Sequence, residues 1–136
     1  MAILLSIKPK YVKEILNGSK KYEFRKSIFK NHDKDELVFI YSSYPVKKIV
    51  GTFTVGEVIE NCPKILWNEF KNVSGIKESD FFKYFEEKEK GYAIEIGGLN
   101  EFENHVDPKE INPDFRAPQS FCYMSESFEE KILSSN

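Results

Sequence analysis

Arginine, histidine and cysteine are all scarce in this 136-residue chain. Of its 20 basic residues only Arg25 and Arg116 are arginines. Against a lysine background, an arginine marks a position that wants a planar, forked donor. The two cysteines, Cys62 and Cys122, form no C-x-x-C pair. That spacing excludes a zinc ribbon and a disulfide scaffold, and both thiols read as small buried apolar groups. The two histidines, His32 and His105, sit in polar stretches without metal-ligand spacing. They read as surface residues, and no metal is expected. Uncharged apolar runs such as Leu37–Tyr41 are short, against the ~20 residues of a membrane helix. No basic segment precedes the apolar residues of MAILLSIKPK, which argues against a signal peptide. With reduced thiols, the cytoplasm is the expected location. There is no G-x-S-x-G, no P-loop and no G-x-G-x-x-G, so no cofactor is expected.

What the chain does have is aromatic residues, with 12 Phe, 7 Tyr and 1 Trp, in a composition that is 40% hydrophobic and 31% charged. Large rings supply buried area, so the composition is that of a folded chain. The length fits one domain. The formal net charge is −2, which by itself names no charged partner. The charge is nevertheless split along the chain. Residues 1–50 hold 11 basic and 5 acidic side chains, and residues 51–136 hold 9 and 17. Such a split can steer an anion to one face, unless the two halves interleave and cancel.

Ile3–Ile7 reads as a buried strand. Pro9 can open a helix whose apolar face is Tyr11, Val12, Ile15 and Leu16, stopped by Gly18. Lys20–Lys26 alternates charged and aromatic residues, so a strand there sends Lys21, Glu23 and Arg25 to one face and Tyr22 and Phe24 to the other. Residues 30–36 form a polar loop. Leu37–Tyr41 and Lys47–Ile59 read as strands joined by the turn Ser42–Pro45, and Gly51 and Gly56 suggest a bend. Pro63–Lys88 carries two helical patterns separated at Ser74–Gly75, the second capped by Ser79 or Asp80. Phe81, Phe82 and Phe85 read as its core face. Gly91–Gly97, Leu99–Val106 and Ser120–Met124 read as three further strands, with Asp107–Pro118 irregular. Residues 1–124 form a single α+β domain, and residues 125–136 a polar tail able to form a helix.

Two constellations carry chemistry. The first is Gly18, Lys20, Lys21, Glu23 and Arg25. Arg25 can grip a phosphate or carboxylate through paired hydrogen bonds. Glu23 can accept a base amino or imino proton. A desolvated Lys20 beside Arg25 loses basicity and can serve as base or nucleophile. Gly18 lets a ligand approach the backbone. The same residues can equally form an internal ion pair at the mouth of a barrel. The second is Tyr41, Tyr44, Lys47, Lys48 and Ser120. The tyrosines can stack a base or donate a proton, and the lysines can hold phosphates. The other reading makes Tyr41 core, the lysines solvated turn residues and Ser120 a partner for a backbone group.

Gly18-Ser19-Lys20-Lys21-Tyr22-Glu23-Phe24-Arg25 fits G-x-K-x-x-E-x-R and follows an N-terminal strand and helix. In pattern and placement it resembles the signature of the ASCH domain family. Pro118–Phe121 (PQSF) is also similar to the closing element of one ASCH branch. The resemblance spans Ile3–Met124 and implies a PUA-like small mixed β-barrel with flanking helices and a cleft beside the motif strand. It further implies a part in RNA metabolism, with RNA or a modified nucleoside as the bound partner and Gly18, Lys20, Lys21, Glu23, Arg25, Tyr44 and Lys48 as binding residues. Some small ASCH proteins are hydrolases. One branch, an amidohydrolase of acetylated cytidine, carries G-x-K-T-x-T-x-R. This chain departs from it by placing Glu23 where that branch has a hydroxyl. Another branch is described as a ribonuclease with a Tyr, Lys and Ser group, which Tyr41, Lys47 and Ser120 match best. The alternative to a binding module is therefore a metal-free hydrolase using Lys20 and Glu23, or Tyr41, Lys47 and Ser120.

Overall fold

A computed structural model describes residues 1–136. In chain order the elements are β1 (Ile3–Ile7), α1 (Pro9–Leu16), β2 (Tyr22–Arg25), β3 (Leu37–Ser42), β4 (Lys48–Asn61), α2 (Pro63–Phe70), a 3-10 turn (Lys71–Val73), α3 (Glu78–Tyr84), β5 (Gly91–Val106), α4 (Pro108–Ile111), β6 (Phe121–Tyr123) and α5 (Glu126–Ser134). The strands form one curled half-barrel sheet in the order β2-β5-β4-β3-β1-β6. The β1–β3 pair is parallel and the other neighbours are antiparallel. Short β2 and short β6 are thus the two edges, and no backbone ladder joins them. Register shifts in the long β4–β5 pair at Ile49/Gly51, Thr52/Thr54 and Val55/Val58 bend the sheet, as extra residues in a ladder do.

Period-2 alternation sorts the core. Along β1, Ile3, Leu5 and Ile7 join Val12 and Ile15 of α1 in one buried cluster. Ala2 and Leu4 face the other way, with Phe39, Phe102, Phe115 and Ile132 of α5. A central strand covered on both faces must be apolar throughout, which is why Leu37–Tyr41 and Ile3–Ile7 are continuous apolar runs. A third cluster sits under the helical insert, where Leu66, Phe70, Phe81 and Phe85 pack on Phe24 and Ala93.

Three expectations are corrected here. Gly91–Gly97 and Leu99–Val106 are one strand, because the Gly97–Gly98 bend is absorbed by the register shift against Thr54 without ending the ladder. The N-cap of α3 is Lys77, with no side-chain cap bond; Ser79 and Asp80 are the second and third residues of the helix. Phe81 and Phe85 are core, but Phe82 is exposed. Residues 125–136 hold α5, capped by the Ser125 hydroxyl accepting from the Phe128 N–H. That helix buries Ile132 completely, so it is packed against the sheet. Ile132→Ala is expected to cost about 2–5 kcal/mol in urea denaturation, the usual range for emptying a filled core site. A loss within the range of surface substitutions would mean that α5 is only loosely docked.

Candidate functional site

The cavity forms where the two sheet edges come together. β2 ends in Arg25, whose guanidinium reaches across to the far edge. One terminal nitrogen donates to the Ser6 carbonyl of β1 at 2.6 Å, and the other donates to the Ser120 hydroxyl at 3.3 Å. Ser6 is itself tied to this closing segment: its hydroxyl donates to the Pro118 carbonyl at 2.7 Å and its N–H to the Ser120 carbonyl at 2.9 Å. One side chain therefore bridges the seam that the backbone leaves open.

Beside the bridge lies a cavity of about 840 Å³, within the size range of small-ligand sites. Its floor is Lys20, Glu23 and Arg25, only 3%, 6% and 8% exposed. Glu23 stands between two cations: Oε1 is 3.6 Å from Lys20 Nζ and Oε2 is 3.1 Å from Arg25 Nε. The Arg25 Nε–H is misaligned with that carboxylate and has no hydrogen-bond acceptor, so the 3.1 Å contact is ionic only. Lys20 Nζ donates to the Ser74 carbonyl at 2.8 Å and lies 4.7 Å from the centre of the Phe24 ring. Burial holds the Lys20 ammonium below the ordinary lysine range; Glu23 opposes that shift and Arg25 adds to it.

The walls are aromatic, from Tyr11, Phe24, Tyr41, Tyr44, Phe81 and Tyr84, and the rim carries Lys8, Lys10, Lys26, Lys47 and Lys83. Seven basic residues line the cavity against two acidic ones, Glu23 and Asp80, in a chain of net charge −2. Six of those seven come from the first fifty residues, so the basic excess there gathers on one concavity and does not cancel. The start of α1, at the same rim, adds the positive end of its backbone dipole. Lys47 occupies a left-handed backbone conformation (φ 56°), with Nζ 5.4 Å from the Tyr44 ring centre.

Of the residues singled out from sequence, Lys20, Glu23, Arg25, Tyr41, Tyr44 and Lys47 line this one cavity. Ser120 does not line it but is joined to it through Arg25. Lys21 and Lys48 are exposed and outside it. Lys21 precedes the edge strand, and its N–H is taken by the Val73 carbonyl. Gly18 is also outside; its φ of 88° ends α1, and a Cβ there would meet nothing. Its conformation thus serves the helix stop and not ligand approach. Arg25 is not a free fork for phosphate, since both terminal nitrogens are spent on Ser6 and Ser120. Tyr41 is both wall and core, stacked at a tilt on Phe115 at 5.6 Å, and burial raises its phenol pKa.

Sequence reasoning missed Tyr84, whose phenol burial pushes up and whose ring lies 4.5 Å from Lys26 Nζ. It also missed the lysines at positions 8, 10, 26 and 83. Lys8-Pro9-Lys10 at a helix start was a readable signal for two of them; nothing local marks Tyr84. Cys62 caps α2 and Cys122 lies in β6, both as free thiols. His32 packs edge-on against Phe29, and His105 lies 3.3 Å from Glu101.

Two outcomes follow for stability. Arg25→Ala strips Glu23 of a buried partner, so it is expected to cost about 3–5 kcal/mol in urea denaturation. Arg25→Lys recovers little of this, because an ammonium cannot span both Ser6 and Ser120. A loss below that of a surface substitution would show that the seam does not need the bridge. The second outcome concerns pH. Lys20 has a lowered pKa when folded and an ordinary one near 10.5 when unfolded. Between the two, the unfolded chain binds more protons, so stability rises with pH. Lys20→Met is expected to flatten that rise in denaturation curves taken across the window; an unchanged slope would contradict the assignment.

The chain matches the ASCH domain family over residues 5–115. It is 26% identical over 133 residues to the ASCH domain-containing ribonuclease of Zymomonas mobilis, with 96% of this chain and 89% of that protein aligned. It superposes on the crystal structure of ASCH from Zymomonas mobilis with a TM-score of 0.89 at 25% identity, covering 98% of this chain and 94% of that one. The N-terminal domain of Staphylothermus marinus McrB gives a TM-score of 0.64 at 13% identity, over 99% of this chain and 94% of that one; that likeness is of fold alone. No helix is long and apolar enough to cross a membrane. With a match over most of its length, this protein is a member of the ASCH domain family.

Proposed function

We propose that this chain binds RNA, or a modified nucleoside within it, in the seam cavity. The observation that carries this reading is the charge pattern: seven basic residues and six aromatic walls around one concavity in a chain of net charge −2. Exposed lysines on a rim suit phosphates, which need long-range attraction more than fixed geometry. Aromatic walls suit a base, because every base has a stackable face. Glu23 and the floor cations suit a base edge with mixed donors and acceptors.

A second reading, hydrolysis of RNA, is favoured by the ribonuclease name of a relative aligned over 96% of this chain. In it, Lys20 takes the proton of a ribose 2′-hydroxyl as that oxygen bonds to phosphorus. The bond from phosphorus to the 5′-oxygen breaks, and that oxygen receives the Tyr41 proton. The raised phenol pKa keeps Tyr41 protonated until then, and Lys47 steadies the phosphate charge. Ser120 contributes through Arg25, which it helps to hold.

Fluorescence anisotropy with a short single-stranded RNA tests the first reading. Affinity is expected to fall steeply with salt, and Lys26→Ala or Lys47→Ala each to shallow the log–log slope by roughly 0.7, the value for one phosphate on a single strand. Salt-insensitive binding, or none, would overturn it. For the second, product analysis should show strand cleavage that drops at least ~100-fold in Tyr41→Phe, the scale of a lost proton donor. Full cleavage by that variant removes Tyr41 from the chemistry.

A further inference from the structure

The basic centre of the cavity is held from outside the motif. The segment Val73–Ile76, between the 3-10 turn and α3, runs along Lys20 and Lys21. The Val73 carbonyl accepts the Lys21 N–H at 2.8 Å, and the Ser74 carbonyl accepts from Lys20 Nζ at 2.8 Å. Gly75 lies flat against the Lys20 stem, and Ile76 lines the cavity. Gly75 has a φ of 60°, and a Cβ built there would stand 2.4 Å from Lys20 Cβ and 3.0 Å from its Cα. Both the backbone conformation and the space thus require glycine. Ser74 is 1% exposed, and its hydroxyl donates to the Lys71 carbonyl at 2.9 Å, fixing the turn from within.

We propose that the Val73–Ile76 turn is the positioning element for the Lys20 amine, setting where Nζ stands on the cavity floor and which of its hydrogens remains for a ligand. An ammonium has three N–H donors. The Ser74 carbonyl takes one, and Glu23 Oε1, at 3.6 Å, attracts a second. That leaves the third as the hydrogen the amine can offer a ligand. A single N–H on the cavity floor suits one electron-rich oxygen, a base carbonyl or a phosphate oxygen. This assignment rests on the reading of the cavity as the RNA site. The titratable groups around Lys20 are Glu23 and Arg25 on the motif strand and Tyr11 on α1, with Tyr84 on α3 coupled to Glu23 and Arg25. The helical insert therefore has two tasks: it fills the core through Phe81 and Phe85, and it aims an amine through Ser74 and Gly75, which lie outside the cavity lining.

The test uses full-length protein labelled with 15N-lysine, following the Lys20 Nζ resonance, assigned with Lys20→Met, through a pH titration. Gly75→Ala is expected to push the Lys20 stem out of its site and move the titration up toward the ordinary lysine range. The same variant should weaken binding of a short single-stranded RNA at least about tenfold, the scale of one charge-assisted hydrogen bond. Leu66→Ala, a core change in the same insert away from the cavity, should lower stability but leave the Lys20 titration in place. Should Gly75→Ala fail to fold, Ser74→Ala, which removes the hydroxyl clip and keeps the carbonyl, decides the matter by the same upward shift. A Lys20 titration unmoved by the turn variant, or moved equally by Leu66→Ala, overturns the proposal. If the wild-type protein binds no RNA, the reading of the cavity falls, while the titration still decides whether the turn positions the amine.

Discussion

Closing a curved sheet whose edge strands cannot reach each other is the constraint on which the rest of this structure depends. β2 and β6 are four and three residues long and lie at opposite ends of the strand order. A barrel left open there exposes unpaired edges. Here the gap is spanned by the Arg25 side chain, reaching Ser6 and Ser120. A guanidinium suits the task because its donors diverge in one rigid plane. Burying that charge requires a counter-charge, and Glu23 supplies it; Lys20 then shares the carboxylate. The motif Lys20, Glu23, Arg25 is thus first a device for shutting a seam.

A seam closed by one side chain leaves room beside it. That room is the cavity, and its electrostatics follow from the closure. The floor has two cations for one carboxylate, so it retains a positive excess at depth, where the dielectric is low. The lysines of the rim extend that field outward, while the acidic excess of residues 51–136 contributes only Asp80 to the lining. In the proposed reading, structural and recognition roles therefore coincide in the same residues. The ion-pair reading and the ligand-cleft reading of the motif are compatible, because the ion pair is the floor of the cleft.

What the sequence could reveal was set by range. β1, α1 and its Gly18 stop, the loop at 30–36 and β3 depend on local periodicity and turn chemistry, and they were legible. The motif strand was legible as well, and its Glu23 and Arg25 share the cavity. Lys21 followed the same alternation and still falls outside, because it precedes β2 and its backbone is tied to Val73. A desolvated Lys20 was one reading of the motif, but what covers it was not legible, since Ser74 and Gly75 do so and Ser74 is 54 positions from Lys20. The sequence leaves Arg25 open between a ligand grip and an internal ion pair with Glu23, and its bonds to Ser6 and Ser120, the latter 95 positions away, have no local signal. Tyr84 carried no local mark of any kind. The continuity of β5 was hidden by Gly97 and Gly98, which read as a break when the partner strand is not in view.

The most direct measurement is a titration of 15N-labelled protein with a short single-stranded RNA, followed by backbone and arginine Nε resonances. Closure of the seam around an RNA site predicts that perturbations concentrate at the start of α1, at β2 with the Arg25 Nε–H, at α3 and at Ala117–Ser120. Perturbations gathered instead on α5 or on the outer strand ends of β4 and β5, with the Arg25 Nε–H unmoved, would contradict it.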